Sequence, residues 1–435
     1  MASEDHPSGA FLFHAGLENA MSHLVALRCR GCGQDYPLTL IAACTECWAP
    51  LDAVYDLEAA RATFTKEVIA SRPRDLWRYR ELLPITGAPR VGIGTGFTPL
   101  LPAPRLGRRL GIDDLWVKYD AGNHPTLSFK DRLVAVALTR ALELKLPVVG
   151  CASTGNLANA VAAGAAAAGL PAVILVPEQL EVAKLLATSV YGATLVGVRG
   201  SYDHVSRLCV EISSARGWGF ANVNLRPYYA EGSKTIAFEL AEQRGWTLPR
   251  HVVAPMAGGC MIGKVARGFG ELTALGLVDD TPVSIHGAQA QGCAPIVTAW
   301  KTKAEVLKPV KPNTLVRSLA IGDPADGPSA LKVIRGSGGA AEDPTDAEAL
   351  EGIRTLAETE GLFAEMAGGV VVAAAARLAR QGAFAGGGSV VLLITGHGLK
   401  TVETLGSAPF AGVIDPKVDA FDAFWSTACP SSAAV

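Results

Sequence analysis

Between Leu115 and Arg216, short apolar runs alternate with stretches of helical character, and this alternation narrows most what the chain can fold into. Leu115 to Tyr119, the PVVGCAS run, Ala172 to Val176 and Ala193 to Val198 read as strands. Between and after them, DRLVAVALTRALEL, Asn156 to Ala168, Leu180 to Val190 and Tyr202 to Arg216 read as helices; the last carries Val205, Leu208, Cys209 and Ile212 on one face. The second half of the chain keeps the same alternation. There HVVAPMAGGCMIGKVARGF reads as strand, glycine loop and helix, VSIHGAQA as a strand with a turn, and SVVLLITGHGLK as a buried strand emptying into a loop. Strands and helices alternating at this pitch predict an α/β architecture of parallel sheets covered on both faces. A chain of 435 residues, 49% hydrophobic and 18% charged, has the apolar content for such sheets and the length for two or three domains.

The net charge of -2 gives no reason to expect nucleic acid or an anionic membrane as the main partner, whereas a small anion needs only a local site. MASEDHPSGAF is acidic and polar, with no basic region followed by an apolar run, so no signal peptide is expected. The longest uncharged stretch, Asn156 to Pro177, is interrupted by Gly169-Leu170-Pro171, which reads as helix, turn and strand rather than a membrane span. Nine cysteines, an odd number without a secretion signal, point to a reducing compartment and hence the cytoplasm. Four of them, Cys29, Cys32, Cys44 and Cys47, form two Cys-x-x-Cys knuckles with the spacing of a zinc ribbon. Ordinary buried thiols or a pair of disulfides are the alternatives; a ribbon here would brace the fold rather than read DNA. Residues 55 to 90 are charged and helix-prone, and the tail after Val418 is expected to fray.

Four segments carry the chemistry. In HPTLSFKDR, His124 to Arg132, Lys130 is an amine flanked by an aromatic and by charges where a strand gives way to a helix. Partial desolvation and a nearby cation lower a lysine pKa enough for it to form a Schiff base with an aldehyde cofactor. The segment Cys151 to Asn156 is a strand end, a hydroxyl-rich turn and a helix start, which suits a carboxylate or phosphate, or is a plain N-cap. Ala257-Gly258-Gly259-Cys260-Met261 lies again between strand and helix, where small residues let backbone wrap a phosphate; alone it is equally an ordinary turn. Ile394-Thr395-Gly396-His397-Gly398 sets a hydroxyl at the carboxyl end of a strand, where open sheets bind ligands, or simply caps that strand.

Together and in this order, HPTLSFKDR, STGN, NLRPYYAEGSKTIAFE, GAQAQGCAPIV, SLAIGDPADGP and TGHGLK closely resemble the threonine synthase family, from about Gly92 to Lys400. These are pyridoxal-phosphate enzymes of the fold that includes tryptophan synthase β and the serine and threonine dehydratases, and some members carry a cysteine ribbon. The resemblance implies two open parallel-sheet domains of the tryptophan synthase β type (fold type II), with an N-terminal zinc-ribbon-like segment at 1–55. A large cofactor-binding domain would comprise 56–124 and 226–420, a small α/β domain 125–225, and a frayed tail 421–435.

By that resemblance Lys130 holds pyridoxal 5'-phosphate and shuttles protons, with Phe129 packed beside it. Asn156 bonds the ring hydroxyl, Ser153 and Thr154 take the substrate carboxylate, and Gly258, Gly259, Cys260 and Met261 cradle the cofactor phosphate. Thr395 faces the pyridine nitrogen; a hydroxyl there leaves that nitrogen largely unprotonated and the ring a weaker electron sink. The implied reaction converts O-phospho-L-homoserine and water to L-threonine and phosphate in amino-acid biosynthesis, by a homodimer. It requires a second anion site, for which Lys234, Arg226 and Arg132 are the candidates. The chain departs from the family in having Arg226-Pro227-Tyr228-Tyr229 where many members have Asn-Pro-Tyr-Arg, and Glu365-Met366-Ala367-Gly368 in place of Glu-Pro-Ala-Ser. Such changes leave open a different phosphorylated or activated amino acid, or a threonine or serine dehydratase. Retention of Lys130, Ser153, Asn156 and Thr395 argues against a non-catalytic binding protein.

Metal analysis of the purified protein checks the ribbon: zinc should copurify and protect Cys29 and Cys44 from alkylation, and metal-free protein with both freely alkylated contradicts it.

Overall fold

The computed structural model describes residues 22–41, 43–153, 155–178, 182–200, 202–406 and 410–428. Packing divides the chain after Lys400. Up to that point three sheets organise it. The first is antiparallel, with β1 (Leu24–Cys29) between β2 (Asp35–Tyr36) and β3 (Leu51–Tyr55). After β4 (Leu100–Pro102) and β5 (Leu115–Tyr119) comes α1 (Lys130–Glu143). A second sheet is built from 149–220: β6 (Val149–Ala152), β7 (Ala172–Pro177), β8 (Thr194–Val198) and β9 (Gly219–Phe220), in the order β8-β7-β6-β9 and parallel throughout. Its connecting helices include α2 (Asn156–Ala168) and α3 (Tyr202–Arg216).

The chain then passes through α4 (Thr235–Gln243), β10 (His251–Pro255), α5 (Cys260–Ala274), β11 (Ser284–Ala288), β12 (Ala341–Glu342), α6 (Asp346–Glu360), α7 (Met366–Arg380) and β13 (Val390–Ile394). These strands join β5 and β4 in a six-stranded sheet of order β12-β11-β10-β13-β5-β4. All its pairings are parallel except β4 with β5 at one edge. Every residue of β10 and β13 is buried, which is why both, His251 apart, read as continuous apolar runs rather than alternating ones. The predicted parallel sheets are therefore present, and among the described residues no helix is long and apolar enough to cross a membrane.

What fastens α1 to the large sheet is a buried charge cluster. Arg132 is fully buried, and its guanidinium donates through Nε and Nη2 to the two Asp120 carboxylate oxygens at 2.7 and 2.8 Å. Its Nη1 and Nη2 also engage Glu239 of α4, and Lys118 of β5 donates to Glu239 at 2.6 Å and to the Thr98 carbonyl at 2.7 Å. Two cations and two carboxylates balance there. Burial pushes the Glu239 carboxyl up, but Arg132 and Lys118 outweigh it and hold the group down at about 2. On the neighbouring side, Gly232 lets backbone meet backbone: a Cβ there would lie 2.6 Å from the Arg132 carbonyl oxygen.

Three expectations change. Residues 55–90 form only the short helices Leu57–Ala60 and Lys66–Ala70 and a 3₁₀ stretch, Leu76–Leu82, because buried Leu76, Trp77 and Tyr79 tie that segment to the core. The helix expected over Leu180 to Val190 is Val182–Ser189, with 179–181 outside the described residues. In the unit after Lys400, the fraying expected from Val418 gives way to a helix, α8 (Val418–Ala428). Phe421 and Trp425 fall one turn apart and stack with ring centres 5.7 Å apart, a pairing that supports the helix from within. Residues 429–435 lie outside the described residues.

Glu239→Ala should destabilise the protein by about 3–5 kcal/mol in urea unfolding, because it leaves two buried cations, Arg132 and Lys118, with Asp120 as the one remaining carboxylate of the cluster; a loss below about 1 kcal/mol would show the cluster to be dispensable.

Candidate active site

Lys130 is the first residue of α1, and the segment leading to it is pinned to the end of β13. The Phe129 N–H donates to the Thr395 carbonyl at 2.9 Å, the His397 N–H to the Leu127 carbonyl at 3.1 Å, and Ser128 bridges Gly396. Asp131 ties the turn from within, accepting from the Thr126 hydroxyl at 2.7 Å and the Ser128 N–H at 3.3 Å; burial pushes its carboxyl up to about 6. The Lys130 amine makes no hydrogen bond or ion pair with any described residue. Its Nζ lies 4.5 Å from the Phe129 ring centre and 5.7 Å from that of Tyr229. Burial lowers its pKa, against an opposing pull from Cys260 and Glu365, so the amine is disposed to lose its proton.

Asn156 opens α2 and donates its side-chain amide to both Glu365 oxygens at 3.0 Å. Glu365 is buried, and its backbone N–H donates to the Gly396 carbonyl at 2.9 Å. Thr395, 4% exposed, has a hydroxyl with no hydrogen-bonding partner among the described residues. Ser153 sits in the turn before α2, where its Oγ accepts from the Gly155 N–H at 3.3 Å; Thr154, expected at the substrate carboxylate, lies outside the described residues. The Gly258 to Met261 turn runs into α5, whose start has no side-chain cap. Gly259 adopts φ +92° and packs so tightly that a Cβ would meet the Asp326 carbonyl at 2.8 Å. An uncapped helix start with its N–H groups and dipole is suited to an anion.

Sequence reasoning named three cations for a substrate phosphate, and two of them require correction. Arg132 is spent on Asp120 and Glu239, in the cluster that fastens α1. Lys234 is equally buried, paired with Glu231 at 2.8 Å and Glu271 at 2.9 Å, its amine 3.9 Å from the Tyr55 ring centre. Neither can meet a ligand without breaking a buried ion pair. Arg226 is partly exposed and pairs with Asp326. Three residues escaped the motif reading as site components: Glu365, Asp326 and Lys400. Lys400 donates to the Thr126 carbonyl at 2.5 Å; burial lowers its pKa, against Asp131 and Glu365. All three lie inside or beside the motifs that carry the resemblance, so the signal was present as text without a geometry.

The four ribbon cysteines converge, their sulfurs all within 4.8 Å of one another. Cys29 and Cys47 are 3.4 Å apart and Cys32 and Cys44 3.6 Å, and all four are free thiols. Four sulfurs on one zinc stand about 3.8 Å apart at a Zn–S distance of about 2.3 Å. Backbone N–H groups of Gly31 and Cys32 point at Cys29 Sγ, and that of Glu46 at Cys44 Sγ, which stabilises thiolates.

Residues 91–396 match the family described as pyridoxal-phosphate dependent enzyme. The chain belongs to that family. Its fold is shared with threonine deaminase isoform 2 from Solanum lycopersicum, at a TM-score of 0.60 and 20% identity over 85% of this chain and 93% of that one. It is shared also with maize serine racemase, at a TM-score of 0.57 and 19% identity over 77% and 94% of the two chains. Within the family the chain belongs with the threonine synthases. It is 37% identical to that of Methanocaldococcus jannaschii over 86% of this chain and 92% of the relative, and 36% identical to that of Methanosarcina acetivorans over 91% and 97%. The cofactor fits the residues present: an unpaired amine, the unpartnered hydroxyl of Thr395 and an uncapped, glycine-led helix start.

Lys130→Ala protein supplied with pyridoxal phosphate should lack the visible Schiff-base absorption of the wild type while keeping its melting temperature; retention of that absorption would show another amine to be the anchor.

Proposed function

We propose that this protein converts O-phospho-L-homoserine and water to L-threonine and phosphate. The observation that carries the reading is the Lys130 amine, without a hydrogen bond or ion pair to any described residue, set between the Phe129 and Tyr229 rings and lowered in pKa by burial. Pyridoxal phosphate, once bound, supplies an electron sink for carbanions at the substrate Cα and Cβ. Lys130 would hold it, Gly258 to Met261 would donate N–H groups to its phosphate, and the Thr395 hydroxyl would face its ring nitrogen. Asn156, steadied by Glu365, would bond the ring hydroxyl. Ser153 and Thr154 would fix the substrate carboxylate, so that the Cα–H bond is presented to Lys130.

Lys130 takes the Cα proton. Removal of a Cβ proton expels phosphate from Cγ, a proton returns to Cγ, the hydroxyl of water adds at Cβ, and Lys130 returns a proton to Cα; the substrate thus loses phosphate and gains water in balance. With Arg132 and Lys234 neutralised in the core, Arg226 and Lys400 are the cations we assign to the departing phosphate. We further propose that zinc fills the Cys29, Cys32, Cys44 and Cys47 cluster, supported by its sulfur spacing and N–H groups. The division into a ribbon at 1–55, a small domain at 125–225 and a large one at 56–124 with 226–400 is supported by the separate membership of the three sheets; the end of the large domain moves from 420 to Lys400, where packing divides the chain. A cytoplasmic homodimer completes the reading, supported by the family resemblance and by the free thiols.

A substrate panel assayed for phosphate and amino acid tests this. O-phosphohomoserine should yield equal amounts of phosphate and threonine; 2-oxobutyrate from threonine or pyruvate from serine, without phosphate release from O-phosphohomoserine, would reassign the protein as a dehydratase.

A further inference from the structure

Arg30 lies inside the first cysteine knuckle, between Cys29 and Cys32, yet its side chain leaves the ribbon. Its Nε and Nη2 donate to the two Asp52 oxygens at 2.7 and 2.8 Å, and Nη1 reaches Oδ1 of Asp326, 296 residues away in sequence. Arg226 takes the other oxygen, Oδ2. Asp326 is 5% exposed, so each carboxylate oxygen is held by one guanidinium and the group has little freedom to turn. Its backbone is the wall against which the glycine turn is pressed: the Asp326 N–H donates to the Gly258 carbonyl at 3.0 Å, and its own carbonyl excludes any Cβ at Gly259.

A second strap runs from the same arginine. Asp52, its bidentate partner on β3, accepts from Lys264 at 2.7 Å, and Lys264 stands one turn into α5, the helix that the glycine turn begins. Lys264 continues to Glu231, which also pairs with Lys234. Arg30 therefore reaches both the turn and the helix behind it, around a cleft of about 40 Å³ that Gly259, Cys260, Gly263 and Ser329 also line. An arginine held by a cysteine knuckle is fixed only while the knuckle keeps its shape, and four thiolates hold that shape when a metal joins them.

We propose that Arg30 is a positioning residue for the cofactor phosphate: through Asp326 it couples closure of the cysteine ribbon on its metal to the geometry of the Gly258 to Cys260 turn. The inference rests on the functional reading above, in that it takes pyridoxal phosphate at Lys130 and metal at the four cysteines. Coupling of this kind is reciprocal, so metal must tighten the cofactor as much as the cofactor tightens the metal.

The test is a pyridoxal phosphate titration, followed by visible absorbance, of the full-length protein with zinc bound and after zinc removal, in wild type, Arg30→Lys and Arg30→Gln. Zinc should tighten cofactor binding to the wild type by about tenfold. In Arg30→Gln that gain should vanish and the zinc-loaded protein should bind the cofactor about tenfold more weakly than wild type, with turnover restored at saturating cofactor; Arg30→Lys should recover part of the difference. Circular dichroism checks that each form is folded, and where zinc-free protein unfolds, the comparison of zinc-loaded wild type, Arg30→Gln and Asp326→Asn decides alone. Equal cofactor affinity in wild type and Arg30→Gln, or a zinc effect that persists in Arg30→Gln, overturns the inference. Wild type that binds no cofactor in either metal state overturns the functional reading and this inference with it, a result distinct from binding that ignores the metal.

Discussion

The pairing of Arg132 with Asp120 and Glu239 is the constraint on which the rest of the site depends. Lys130 can be an unpaired amine only because the residue two positions on is held with no freedom at all: its planar fork is satisfied on both carboxylates, out of water. That cluster fixes the start of α1 against β5 and α4, and the Phe129 to Thr395 backbone bond then sets the lysine beside β13. A loose α1 would let the amine find a carboxylate, Glu365 being near, and an ion-paired lysine keeps its proton. Isolation of Lys130 is thus a property of its neighbours' pairing.

The same logic extends to the rear of the glycine turn. Asp52, Glu231, Lys234, Lys264, Arg267 and Glu271 form a second buried network that joins the ribbon's β3 to α5. Burying charge is favourable only when every member is matched, so these networks contribute less to net stability than to uniqueness of arrangement, which a cofactor site requires. The ribbon, expected from the sequence to brace the fold, is in structure a partner of the helix that would receive the cofactor phosphate.

Much of the fold was legible, because its signals are local. Leu115 to Tyr119, Asn156 to Ala168 and Tyr202 to Arg216 stand as read, since an apolar run or a helical stripe needs no distant information. The four chemical segments were legible as motifs, and the structure draws together the lysine, asparagine and threonine segments. The roles of the cations were not legible. Whether an arginine meets a ligand or a carboxylate is decided by residues far off in the chain: Glu239 is 107 positions from Arg132, and Glu365 is 209 from Asn156. Arg30 was hidden for the same reason, its partner being the most distant of all. The helix at Val418 was missed because a polar last stretch, PSSAAV, hid the aromatic pair that precedes it.

The central claim, that this isolated amine is the cofactor's anchor, is tested most directly by trapping. Borohydride reduction of the cofactor-loaded protein, followed by proteolysis and mass spectrometry, should place one pyridoxyl group on Lys130 within HPTLSFKDR. A pyridoxyl group on any other lysine, or on none, would contradict the account.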